Sequence, residues 1–146
     1  MSGLRFGNVV EQDPDGNRVR VQLDDQDGLK TWWIGVLSFG TGGDSVYVMP
    51  DIGEHVAVML DQHGEDGVLL GSRNSAKDRP KINRPEERRI DFADGSFLRY
   101  DREKHELELN VIGAGKITLV VGDTRIELTK DMFSLMAKLF KGRKVS

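Results

Sequence analysis

Along most of this chain hydrophobic residues alternate with polar ones at a spacing of two, the mark of β-strands with one covered face. The alternation is clearest between Pro50 and Arg73. Val56, Val58 and Leu60 form one run and Val68 and Leu70 another, separated by the polar turn Asp61-Gln62-His63-Gly64-Glu65-Asp66-Gly67. This is the pattern of a hairpin that closes a small β-barrel. Upstream, residues 4–11 and 19–23 are β-rich runs joined by Asp13-Pro14-Asp15-Gly16-Asn17, whose Pro and Asp-Gly-Asn chemistry suits a turn. Residues 31–37 predict a third strand, with Trp32 and Trp33 on opposite faces, one in the core and one at an interface. Residues 45–49 predict a further strand after the glycine-rich loop Phe39 to Gly43. Five or six strands within residues 1–74, without a helical period, predict an all-β, five-stranded Greek-key barrel of the OB type.

The remainder changes character. Residues 75–89 are dense in Asn, Lys, Asp, Arg and Pro, and Pro80 and Pro85 disfavour helix, so an extended linker is expected. Across residues 90–146 the period is again two. Ile90/Phe92, Leu98/Tyr100, Leu107/Leu109/Val111, Ile117/Leu119/Val121 and Ile126/Leu128 alternate with largely polar residues, broken by turn signals such as Asp94-Gly95, Gly113-Ala114-Gly115 and Gly122-Asp123. Such a ribbon has an apolar face and nothing in its own sequence to cover it. Identical chains wrapped around a shared axis would supply the cover, so the module predicts an oligomer. The candidate core positions of that assembly are Leu107, Leu109, Ile117, Leu119, Val121, Ile126, Leu128, Phe133 and Leu135. Residues 131–142 fit two periods. Met132, Phe133, Leu135, Met136, Leu139 and Phe140 suit an amphipathic helix ending at Gly142, whereas Phe133, Leu135, Ala137 and Leu139 suit a strand. The preceding ribbon favours the strand.

Charge sharpens the boundary. Residues 1–75 carry 5 Lys+Arg against 12 Asp+Glu, a net −7, whereas residues 76–146 carry 16 against 12, a net +4. An acidic first half is a poor nucleic-acid binder, because phosphate affinity comes largely from Lys and Arg. An OB-fold nucleic-acid-binding protein with a β appendage is therefore the second reading, although Trp32 and Trp33 could stack bases. With 0 cysteines, neither a disulfide framework nor a Cys-type zinc site is possible. No apolar run approaches the roughly 20 residues that span a bilayer, and the first residues lack a signal-peptide layout. Synthesis in the cytoplasm is expected.

Candidate chemistries fail on spacing. Asp61, His63, Glu65 and Asp66 have the composition of a metal site and equally of a solvated hairpin turn, which is the expected reading. Residues 24–28 resemble a calcium loop, but with Gly28 at its sixth position Leu23 and Ile34 would fall on ligand positions. Gly40-Thr41-Gly42-Gly43 lacks the Lys-Ser/Thr of a phosphate loop and reads as a flexible connection. His55, His63 and His105 are scattered, and no nucleophile turn accompanies them. No enzymatic activity and no cofactor are expected.

Taken in order, Arg5-Phe6-Gly7-Asn8-Val9-Val10, Val19-Arg20-Val21, Trp32-Trp33, Pro50-Asp51-Ile52-Gly53-Glu54-His55-Val56 and Gly67-Val68-Leu69-Leu70-Gly71-Ser72 resemble the phage baseplate assembly protein V family. These are the central spikes of contractile tails, and type VI secretion spike proteins carry a related barrel. The second half is similar to that family's β-helical spike, particularly Asp94-Gly95-Ser96 to Tyr100-Asp101 and His105 to Val111. The resemblance implies an OB-fold domain at 1–74, a linker at 75–89 and, at 90–146, a spike domain in which three chains intertwine as a β-helix. It implies a homotrimer at the centre of a virion tail baseplate or tail-like particle, touching tail hub and baseplate proteins and piercing the host outer membrane or envelope. Many such spikes end in a His-x-His pair that binds iron on the trimer axis. This chain has no histidine after His105, so a metal-free trimer is expected. A separate tip protein of the PAAR-repeat type is expected at the Lys- and Arg-rich C-terminal end.

Overall fold

The computed structural model describes residues 3–64, 66–74, 79–81 and 84–142. The described residues form strands and turns without a helix. The chain divides into two compact units, Met1–Lys81 and Ile82–Ser146.

The first unit is a closed OB-like barrel. Its strands are β1 (Gly3–Asp13), β2 (Arg18–Leu23), β3 (Ile34–Val36), β4 (His55–Leu60) and β5 (Gly67–Ser72), joined in the order β1-β2-β3-β5-β4. The long β1 serves two neighbours: Gly7–Asp13 pair with β2, and Gly3–Asn8 with β4. A register shift between Val9 and Glu11 marks a bulge, the usual device for bending a strand from one side of a barrel to the next. Where both pairings overlap, Gly7 lies against the Gln22 carbonyl, and a Cβ there would stand 2.8 Å from Val21 Cγ1. Only glycine fits so close an approach.

Alternation then fills the barrel. Val9, Val19, Val21, Leu23, Ile34, Val56, Val58, Leu60 and Leu69 are buried together, with Val36 and Met49 packed against them. The closing hairpin differs from expectation in β5. Leu69 points inward and Leu70 outward, because the register sets Val58 opposite Leu69 and opposed residues share a face. The expected strand at 45–49 is absent, and this stretch makes only the bridge between Thr41 and Ser45. Nor does β3 begin at residue 31. The buried Thr31 takes the Val21 N–H on its hydroxyl at 3.0 Å and donates its own N–H to the Val21 carbonyl at 2.8 Å. Neither Trp32 nor Trp33 is buried, and Ile34 takes the core position instead.

The second unit contains two antiparallel three-stranded sheets. One runs β6-β7-β8, from β6 (Glu87–Asp91), β7 (Phe97–Asp101) and β8 (Glu106–Asn110). The other runs β11-β10-β9, from β9 (Lys116–Val121), β10 (Thr124–Thr129) and β11 (Phe133–Met136). Strand β6 takes in Glu87, Arg88 and Arg89, which the sequence assigns to the linker. Glu87 and Arg89 belong to that strand's polar face, with the Arg89 guanidinium stacked 3.9 Å from the Phe97 ring centroid, whereas Arg88 falls on the opposite face across from Tyr100. Between residues 131 and 142 the ambiguous period resolves as strand for Phe133–Met136, and residues 137–142 are irregular.

Candidate functional site

Every fully buried apolar side chain among the described residues lies in the barrel. Among the described residues of the second unit the buried ones are Ser96 and Asp101, both polar and both in turn networks. Ser96 Oγ accepts the Ile112 N–H at 3.2 Å, and its own N–H goes to Asp94 Oδ1 at 2.8 Å. Asp101 accepts the N–H groups of Glu103 at 3.0 Å and Lys104 at 3.1 Å, and the Arg84 guanidinium at 3.2 Å. The Lys104 N–H bond leads in holding this carboxyl below the ordinary carboxylate range, joined by Glu103 and Arg84 and opposed by burial.

Register assigns each strand residue a face. In the second sheet Ile117, Leu128 and Phe133 form one cross-strand row, Leu119, Ile126 and Leu135 the next, and Val121 stands opposite Thr124. The reverse face carries Thr118, Val120, Arg125, Glu127, Ser134 and Met136. There Lys116 Nζ meets Glu127 Oε1 at 3.2 Å, and this bond is the chief reason Glu127 titrates below its usual range.

The first sheet repeats the arrangement. Ile90, Leu98 and Leu109 form one row, and Arg88, Tyr100 and Leu107 another. Its reverse face is built of ion pairs. Arg99 Nε lies 2.6 Å from Glu108 Oε2, and Arg89 Nε lies 2.8 Å from Asp91 Oδ1. Those hydrogen bonds hold both guanidinium groups charged still more firmly than usual.

Both sheets are therefore amphipathic, and their apolar faces are open. Leu107 is 72% exposed, Leu119 60%, Val121 82% and Phe133 67%. All nine core positions named from the sequence fall on these faces. Ile90, Leu98 and Tyr100 join them there, and the signal that finds them is the same period of two.

Among the described residues no comparable feature is found elsewhere. A polar cleft of about 520 Å³ is lined by Asp51, Glu54, His55, Ser72 and Arg73. Its Ser72 hydroxyl bonds Glu54 Oε1, whereas His55 Nε2 faces Asp24 Oδ2 at 2.9 Å and its ring stacks on Phe6. Serine and histidine are thus each engaged with a different carboxylate, which is not a nucleophile–base pair. In the β4–β5 turn Asp61 Oδ1 accepts the His63 N–H at 3.1 Å and Asp66 Oδ1 the Gly67 N–H at 2.7 Å. Glu65 lies outside the described residues. His105 occupies the β7–β8 turn at φ 59. Among the described residues no three His, Asp or Glu side chains are grouped to hold a metal ion.

A family model described as the type VI secretion system/phage-baseplate injector OB domain matches residues 5–80, more than half of the chain. The comparison with curated proteins found no match.

Proposed function

The chain belongs to the family of type VI secretion and phage-baseplate injector OB domains, and we propose that it is the central spike of a contractile tail or tail-like injection particle. The family is a structural one, and a role at the baseplate spike is the role of its members. Beyond that, our reading is that the protein pierces the host envelope and nucleates baseplate assembly, and that its working form is a homotrimer.

One observation carries the reading: the second unit has two sheets with apolar faces and, among its described residues, no buried apolar side chain. A module in this condition is completed by copies of itself, since identical amphipathic sheets around one axis bury their apolar faces together and leave their ion-paired faces to water. Three chains intertwined as a β-helix make a narrow, stiff body. Force transmission needs stiffness and no reactive group, so no catalytic residue or cofactor is assigned.

The C-terminal end carries the second part of the proposal. Leu139 is 68% exposed and Phe140 63%, beyond the last strand. Three copies of this segment would present apolar side chains beside strand edges, and a separate tip protein of the PAAR type would cap them. Residues 143–146 of that end lie outside the described residues.

The reading is tested by complementation of particles that lack this chain. Wild-type protein should restore assembled, injecting particles, and the variant Leu119→Asp should not. Normal assembly and injection without the chain would overturn it.

A further inference from the structure

One arginine of the second unit lies on an apolar face. Register sets Arg88 across from Tyr100 and Tyr100 across from Leu107, in the row beside Ile90, Leu98 and Leu109. The other arginines in the strands of this unit lie on the reverse faces, each against a carboxylate: Arg89 on Glu87 and Asp91, Arg99 on Glu108, and Arg125 on Glu127. Arg88 is exposed, and among the described residues its guanidinium is held by backbone alone. Nη1 donates to the Pro85 carbonyl at 2.6 Å and to the Glu87 carbonyl at 3.3 Å. Both bonds use one nitrogen, so the edge formed by Nε and Nη2 keeps its donors and has no acceptor there. That edge is the fork with which an arginine takes two oxygens of one oxyanion.

The proposed assembly buries this charge. Copies related by a threefold axis repeat every residue at the same level, so closing the apolar faces around the axis gathers the Arg88 side chains into one ring. Like charges in a core that excludes water repel one another, and the burial of unpaired charge opposes assembly further. A guanidinium does not escape by losing its proton. Nor does its own row supply a counter-charge, since Tyr100 brings a phenol and Leu107 a hydrocarbon. Beyond the row the ladder continues by one bond, from the Arg102 N–H to the Glu86 carbonyl at 3.2 Å. That pair adds one cation and one carboxylate and leaves the positive excess in place.

We infer that the trimer holds one tetrahedral oxyanion of the phosphate class on its axis, taken by the Nε–Nη2 edges of its Arg88 side chains. Forks from every chain surround such an ion with paired N–H donors, and its charge offsets theirs. The ion ties the chains together where each enters the spike, at the first strand after the connector. The inference rests on the proposed trimer.

The test uses the full-length chain and inorganic phosphate, titrated by calorimetry in gluconate buffers of constant ionic strength so that general screening does not change. Mass is followed by light scattering. Wild type should take up one phosphate per trimer and should resist denaturant better as phosphate rises. Arg88→Leu should remain a trimer, because an apolar side chain suits the closed face, and should lose on the order of a hundredfold or more in phosphate affinity. Arg88→Lys keeps the charge without the fork and should fall between the two. Unchanged phosphate affinity in Arg88→Leu would overturn the inference, as would one phosphate per chain or a wild-type trimer that binds none; each of these leaves the spike reading intact. If Arg88→Leu does not assemble, Arg88→Lys decides, and phosphate binding by it at wild-type strength would overturn the inference. A monomeric wild-type chain would overturn the trimer and the inference together.

Discussion

Leu119 and Ile126 are direct cross-strand partners on the open face of the terminal sheet, while Val120 and Arg125, one position along each strand, are partners on its charged face. The pairing turns a sequence alternation into a test of what each face is for. Leu119→Asp would bury an unpaired carboxylate in every copy of the proposed shared core, at more than about 4 kcal/mol per chain. Val120→Asp would set a carboxylate opposite Arg125 and change stability by no more than about 0.5 kcal/mol. Chemical denaturation of the two variants should separate them by that margin. Equal effects would mean that neither face is covered.

The connector should be the first site of cleavage. Limited trypsin digestion of the full chain should cut after Lys77 or Lys81, since Pro80 and Pro85 protect the bonds after Arg79 and Arg84, and leave a resistant piece beginning shortly before β6. Rapid loss of residues 87–146 would contradict an interlocked spike.

Asp101 should make the second unit acid-sensitive. Its carboxyl titrates below the ordinary 3.8 in the folded chain. Its contribution to stability is therefore fully present above that value and is lost as pH falls through the folded-state pKa. Asp13, held low chiefly by its Arg18 hydrogen bonds, and Glu127, held low chiefly by Lys116, act in the same direction. Stability measured between pH 6 and pH 2 should decline for wild type, and Asp101→Asn should flatten part of the decline. At neutral pH, Asp101→Ala should cost about 1–3 kcal/mol by leaving the Glu103 and Lys104 N–H groups unpaired. A wild-type slope identical to that of Asp101→Asn would contradict the assignment.

Gly7→Ala should destabilise the barrel by about 1–3 kcal/mol, because the added methyl runs into the Gln22 carbonyl and Val21. A thermal melt that follows near-ultraviolet dichroism of the barrel tryptophans should register the loss. An unchanged midpoint would mean that β1 and β2 can move apart there.

The barrel was legible in the sequence where alternation and turn chemistry agreed. Val56/Val58/Leu60 declared an inward face, and residues 13–17 declared a turn. It was less legible where a single side chain outweighs the period. Thr31 diverts the backbone before β3 through its hydroxyl, and the β4–β5 pairing turns Leu69 inward in place of Leu70. Residues 45–49 look like a strand because Val46 and Val48 alternate, yet their only ladder contact is the isolated bridge between Thr41 and Ser45. In the second unit the period alone sorted apolar from charged faces. What covers an exposed face lies outside a single chain's alternation, so the trimer remained an inference from the need for cover and from family resemblance.

The central claim is that the second unit is completed by two further copies of itself. Light scattering of the purified full-length chain, from micromolar concentration upward, tests it most directly. The account predicts one folded species at three times the 16.3 kDa chain mass, without bound iron, that dissociates slowly in denaturant because interlocked strands must part together. A folded, stable species of 16.3 kDa would contradict it.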